Sequence, residues 1–156
     1  MFEMLGNQFF LVRNYPRAAE MLEKALLVRR GDKQLRRKLI ICYTQLGEVA
    51  KALSYFCDLI EEDLDFIINI DPVAEDCPCP HLLQNMERLR RQNYESFDFA
   101  VILGILYLFC DAKKSARYFR KAQAIEPENP YLARVMGVIE PGRAHGAEGE
   151  GQRAEG

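Results

Sequence analysis

The chain has 156 residues, with 21 Lys and Arg against 23 Asp and Glu, a formal charge of -2 and a pI near 5.8. That length suits one domain or a short solenoid of helical hairpins, and the near-neutral balance lacks the positive bias of nucleic-acid and membrane-surface proteins. The longest apolar run, Phe99 to Cys110, has twelve residues, short of the roughly 20 that a membrane-spanning helix needs, so it reads as a buried core helix.

Phe2, Leu5, Phe9 and Val12 recur at a spacing of three and four and predict a first helix over 1–12. Asn14, Tyr15 and Pro16 follow, a cap residue and a first-turn proline. A second helix runs from about Pro16 to Val28 with Ala18, Ala19, Leu22, Ala25 and Leu26 inward, stopped by Gly31 and Asp32. The third covers Leu35 to Leu46 and ends at Gly47, which takes the left-handed conformation at low cost. The fourth spans about Val49 to Glu62, with Ala52, Leu53, Phe56, Leu59 and Ile60 inward.

After Glu62 the period fails. Asp63 to Ile70 reads either as a continuation of helix four or as another short helix, and the prolines at 72, 78 and 80 impose a loop. The second arm of this divergent hairpin, 81–92, shows Leu82, Leu83, Met86 and Leu89 on one face and Arg88, Arg90 and Arg91 on the other. Helical periodicity returns over Phe97 to Cys110 and Lys113 to Ile125; Glu126-Pro127 breaks it, and 130–139 forms a last short helix. From Glu140 onward the chain holds five glycines and no large apolar residue, the composition of a disordered tail.

The first two hairpins are copies. At a step of thirty-four residues Phe9 falls on Tyr43, Ala18 on Ala52, Leu22 on Phe56 and Ala25 on Leu59, the period of a helix-turn-helix repeat. Phe2, Leu5, Gly6, Phe9, Ala18, Leu22 and Ala25, then Tyr43, Leu46, Gly47, Ala52 and Phe56, then Leu103, Gly104, Tyr107, Phe119, Ala122 and Pro127 resemble the tetratricopeptide repeat family. In the third unit the two halves differ by one residue, so either the turn near Asp111 is one residue short or the first helix sits in another register. The resemblance implies an all-α, short right-handed solenoid: repeats at about 1–30 and 33–64, a divergent hairpin at 65–95, a repeat at 97–127 and a capping helix.

It also implies a concave groove lined by the first helix of each unit. The matching positions are Glu3, Asn7, Phe10 and Leu11 in the first repeat and Gln34, Arg37, Lys38, Ile41, Thr44 and Gln45 in the second. The expected work is non-enzymatic: holding a peptide or helix of a partner protein, anchored on Phe10 and Ile41, with Arg37 and Lys38 selecting acidic groups and Asn7 clasping backbone. Carboxylate-binding versions of the fold resemble this one at Asn7, but Glu3 and Lys38 stand where they carry Lys and Asn, which argues against recognition of chaperone C-termini. The first repeat begins at residue 1 without a capping helix, so its edge is a candidate for self-association.

Other clusters have plainer readings. Arg29, Arg30, Lys33, Arg36, Arg37 and Lys38 put six cations in ten residues; with no interleaved aromatic they read as complementing the end of helix two rather than binding nucleic acid. Glu61, Glu62, Asp63 and Asp65 read as a solvated face. Cys77, Cys79 and His81 form the one local motif with metal or thiol chemistry, an alternative module on a helical scaffold, although three ligands at this spacing fall short of a closed zinc site. The structural reading of that motif is a proline-stiffened loop in which Pro80 opens the next helix, and a bridge between Cys77 and Cys79 would be strained. Five cysteines, three of them in apolar helical stretches (Cys42, Cys57, Cys110), together with a start that lacks a secretory leader, fit a reducing, cytoplasmic setting. No cofactor motif is present, and His145 lies in the tail.

Overall fold

A computed structural model describes residues 1–71, 77–93 and 95–140. The tail over 141–156, and the part of the proline loop at 72–76, lie outside the described residues. Among those described, the chain is all helical: α1 (Phe2–Leu11), α2 (Tyr15–Val28), α3 (Lys33–Leu46), α4 (Val49–Asp63), α5 (Asp65–Ile68), α6 (Cys79–Glu87), α7 (Phe97–Tyr107), α8 (Ala112–Ile125) and α9 (Pro130–Ile139).

Local chemistry sets most of the ends. Asn14, Asp32, Ser96, Asp111 and Asn129 each accept an amide hydrogen bond at the start of α2, α3, α7, α8 and α9, supplying partners for amides that the helix itself leaves unpaired. Gly47 closes α3 at φ 75°, with the Glu48 amide reaching the Tyr43 carbonyl at 2.9 Å. Thirty-four positions earlier Arg13 takes the same conformation at φ 61°, with the Asn14 amide on the Phe9 carbonyl at 2.9 Å, so the first repeat makes its glycine turn with an arginine. The turn from α7 to α8 has no left-handed residue; the Asp111 amide bonds to the Tyr107 carbonyl at 2.6 Å. Counted from the aromatic carbonyl to the N-cap that bonds it, the step is four residues here against five in the first two hairpins, which accounts for the one-residue mismatch.

Packing follows the hairpin pattern: α1 on α2, α2 on α3, α3 on α4 and α7 on α8. A Cβ at Gly6 would stand 2.7 Å from Leu22 Cδ2, and one at Gly104 would stand 2.9 Å from three ring carbons of Phe119, so both glycines mark the point of closest approach within their hairpins. Ser115 Oγ ties the second crossing by donating to the Gly104 carbonyl at 2.6 Å. The core runs without a break from Phe10 and Leu22 through Leu39, Phe56, Leu59 and Leu103 to Phe119 and Val135. Each such side chain contributes roughly 1.5–3 kcal/mol by leaving water. Every residue from Phe99 to Phe109 is buried, as a helix apolar on all sides requires.

α4 is the hub. It meets α7 and α9, and Phe56 stacks on Phe119 of α8 with centroids 5.7 Å apart. α9 caps the third unit and also folds back on α4, where Arg134 bonds Asp58 at 3.0 Å and Glu61 at 2.6 Å.

Some expectations change. The buried positions of α1 are Gly6 and Phe10, whereas Phe2 and Val12 are exposed, because α1 packs chiefly on α2 and α3. α6 stops at Glu87, so Leu89 lies in the following turns and is exposed. Cys110, past the end of α7, is exposed, unlike Cys42 and Cys57. Glu140 is held by Arg120, whose Nη1 donates to both carboxylate oxygens at 2.8 Å.

Candidate functional site

The expected groove lies where α1 and α3 run side by side. At its centre Lys38 Nζ donates to Asn7 Oδ1 at 2.9 Å and stands 5.7 Å from the Phe10 ring centroid. Asn7, Lys38 and Gln45 are half-buried, and Leu11 and Gln34 are exposed. These five form an accessible rim. Glu3 sits at the edge, paired with Arg29 of the α2–α3 connection.

The other four expected contacts are inside the protein. Phe10 packs edge-on against Tyr15, and Ile41 is buried, so neither is an open anchor. Thr44 is buried and donates to the Ile41 carbonyl of its own helix at 2.6 Å, while Gln45 Nε2 donates back to Thr44 Oγ1 at 3.2 Å. Arg37 is only 4 % exposed. Its guanidinium lies over the Phe66 ring at 4.3 Å and donates to the Phe66 carbonyl at 3.3 Å.

The cause is the segment after α4. It turns back through α5, buries Ile67 and lays Phe66 on Arg37. The Cys-Pro-Cys turn before α6 is also within electrostatic reach of Arg37. The chain thus covers part of its own groove.

Two ion pairs join the basic run to the acidic run. Lys33 bonds Asp63 at 2.9 Å and Arg36 bonds Glu62 at 2.7 Å, while Arg29 pairs with Glu3 and Asp32. Hydrogen bonds from Arg134, Arg36 and Lys33 hold Glu61, Glu62 and Asp63 below the usual carboxylate range. Lys33 and Arg36 thus tie α3 to α4, while Arg29 is the C-cap residue of α2. Such exposed pairs are worth little individually.

At the loop motif, Cys77 is half-buried and Cys79 buried, while His81 is exposed. The two sulfurs lie 2.6 Å apart and the Cys79 amide donates to Cys77 Sγ at 3.4 Å. Among the described residues no group of three His, Cys, Asp or Glu is placed to hold a metal ion. Cys79 starts α6, with Pro80 in its first turn.

Sequence reasoning missed a duplicated polar cluster. Tyr43 donates to Glu23 and Tyr107 to Glu87, both across 20 residues. Each phenol also packs a second tyrosine, Tyr55 at 5.4 Å and Tyr118 at 5.7 Å. A lysine covers each ring, Lys51 at 5.4 Å and Lys114 at 5.3 Å, and Arg17 covers Phe9 at 5.6 Å. The equal Glu-to-Tyr spacing was the available signal, and it shows that α6 stands to α7 as α2 stands to α3. Around the first cluster an open groove of about 520 Å³ lies between α2 and α4, with Leu26, Leu27 and Tyr55 in it and Glu20 and Lys24 at its rim.

Among the described residues no helix is long and apolar enough to cross a membrane. Comparison of the chain with protein-family models, with curated proteins and with solved structures yields no match.

Proposed function

We propose that this chain is a non-enzymatic tetratricopeptide-like interaction module of the cytoplasm that holds a peptide or helix of a partner protein along the exposed rim of α1 and α3. The repeat reading is supported by the matched turns at Arg13 and Gly47 and the matched rings covered by Arg17 and Lys51. The observation that carries the binding reading is the Lys38–Asn7 hydrogen bond at 2.9 Å, which joins the first helices of adjacent repeats between the exposed Leu11 and Gln34.

A partner carboxylate or carbonyl competes with Asn7 for the Lys38 ammonium, a charge-assisted bond when the acceptor is ionised. Leu11, 57 % exposed, supplies the apolar contact in place of Phe10 and Ile41. With part of the groove covered by Phe66, the free area suits a short ligand of micromolar affinity, about 8 kcal/mol.

The test is affinity capture from native lysate with the wild type, an Asn7→Ala, Leu11→Asp, Lys38→Glu variant, and a Glu20→Lys, Lys24→Glu variant of the α2–α4 groove. A partner lost only from the first variant, at unchanged thermal stability, supports the reading. A partner lost only from the second moves the site to α2 and α4.

Self-association is a second reading. Met4, Val12, Leu27 and Val28, in or next to α1 and α2, are 60 %, 72 %, 73 % and 79 % exposed, apolar side chains that a second copy would cover. Solution mass against concentration tests it: a monomer at all concentrations excludes it.

A further inference from the structure

The Cys-Pro-Cys turn carries an inference independent of the binding reading. Its two sulfurs are 2.6 Å apart, and the Cys79 amide donates to Cys77 Sγ. The pair is asymmetric. Cys77 is half-buried and within reach of a small molecule, whereas Cys79 is 0 % exposed.

The surroundings sharpen that asymmetry. Hydrogen bonding from Cys79 lowers the Cys77 thiol below its ordinary value, with the Arg37 guanidinium helping, while burial raises Cys79. Cys77 also precedes α6, a nine-residue helix whose unpaired first amides favour negative charge. A second observation stands beside these. Tyr15, 9 % exposed, has a hydroxyl with no hydrogen-bond partner among the described residues and lies within electrostatic reach of Cys77 and Cys79. The remaining thiols are poor competitors: burial pushes Cys42 up to about 12 and Cys57 up to about 11, and also raises Cys110.

We propose that Cys77 and Cys79 are a redox-active dithiol, oxidised to an intramolecular disulfide by low-molecular-weight disulfides such as oxidised glutathione, with Cys77 attacking and Cys79 resolving. The Cys77 thiolate attacks one sulfur of the small disulfide, forming a mixed disulfide and expelling one thiolate. Cys79 gives its proton to that thiolate. The Cys79 sulfur then attacks Cys77 Sγ, closes the protein disulfide and expels the second thiolate, which takes a proton from water. The protein loses two hydrogens and one small disulfide becomes two thiols. Because one residue separates the cysteines, the ring is small and strained, the condition under which a disulfide is readily reduced again and serves as a switch rather than a staple. Oxidation also removes the thiolate beside Arg37, at the turn that helps cover the α3 face.

The experiment uses the whole chain, reduced and then exposed to oxidised glutathione, trapped with iodoacetamide, digested and weighed. The expected product is a peptide carrying a Cys77–Cys79 bond, reversed by excess reduced glutathione. In the reduced protein iodoacetamide labels Cys77 about tenfold faster than Cys110. Cys79→Ser accumulates glutathione on Cys77, and Cys77→Ser accumulates none at Cys79. A stable Cys77–glutathione adduct in the wild type, or labelling of Cys77 no faster than Cys110, overturns the proposal. Both of those readings come from the wild type, so they stand even if a variant at buried Cys79 fails to fold.

Discussion

Gly104→Ala tests whether α7 is pressed onto α8 as described. The added Cβ would lie 2.9 Å from Cδ2, Cε2 and Cζ of Phe119, inside any normal carbon contact. The ring has little room to retreat, since Phe119 is 0 % exposed and stacked on Phe56 at 5.7 Å with planes 24° apart. Overpacking of this kind costs about 1–3 kcal/mol. Alanine in place of glycine within a helix returns up to about 1 kcal/mol, leaving a net loss of about 0–2 kcal/mol, or a fall in Tm of up to about 6 °C. Gly137→Ala in α9 is the internal control, because among the described residues nothing beyond its own chain neighbours and helix backbone lies within 4 Å of its Cβ position; it should gain up to about 1 kcal/mol. Urea unfolding followed by circular dichroism gives both values, and their difference cancels the helix-propensity gain. A Gly104→Ala protein as stable as Gly137→Ala would refute the close crossing and the register of the third hairpin.

Other substitutions probe separate parts of the fold. Gly47→Ala, at φ 75°, should cost about 1–2 kcal/mol, whereas Arg13→Gly, at φ 61°, should gain several tenths of that, both read from urea midpoints. Arg134→Ala removes exposed bonds to Asp58 and Glu61 and should lower stability by under about 1 kcal/mol, a loss that shrinks in high salt. Burial, then the hydrogen bonds to Glu23 and Glu87, raise the Tyr43 and Tyr107 phenols above their ordinary value. The folded state therefore keeps protons that the unfolded chain loses above pH of about 10, so stability is full below that pH and falls as pH rises further. Tyr43→Phe with Tyr107→Phe should flatten that alkaline decline in urea midpoints taken from pH 8 to 11, and an unchanged slope would remove the phenols from the account.

Much of the fold was legible because helical periodicity and punctuation are local signals. Asn14, Asp32 and Gly47 stop and start helices through bonds made within a few residues, and the inward set of α4, from Ala52 to Ile60, is buried as its spacing requires. The groove was less legible because its state depends on distant chain. Arg37 and Thr44 are polar, and their positions on α3 read as solvent-facing; Phe66, 29 residues after Arg37, makes the arginine a buried partner. Thr44 meets its need within α3 itself, which no count of apolar positions reveals. The return of α9 onto α4 is likewise a distant contact, with Leu132 and Val135 buried and Arg134 brought to Glu61, 73 residues away.

The interaction reading is tested most directly by a photo-crosslinking residue placed singly at Leu11, Gln34, Glu20 and Lys24 in cells, followed by isolation of the adducts. The account predicts that one partner protein crosslinks from positions 11 and 34, on the α1–α3 rim, and not from 20 and 24. Crosslinks only from 20 and 24, or none from the rim at full expression, would contradict it.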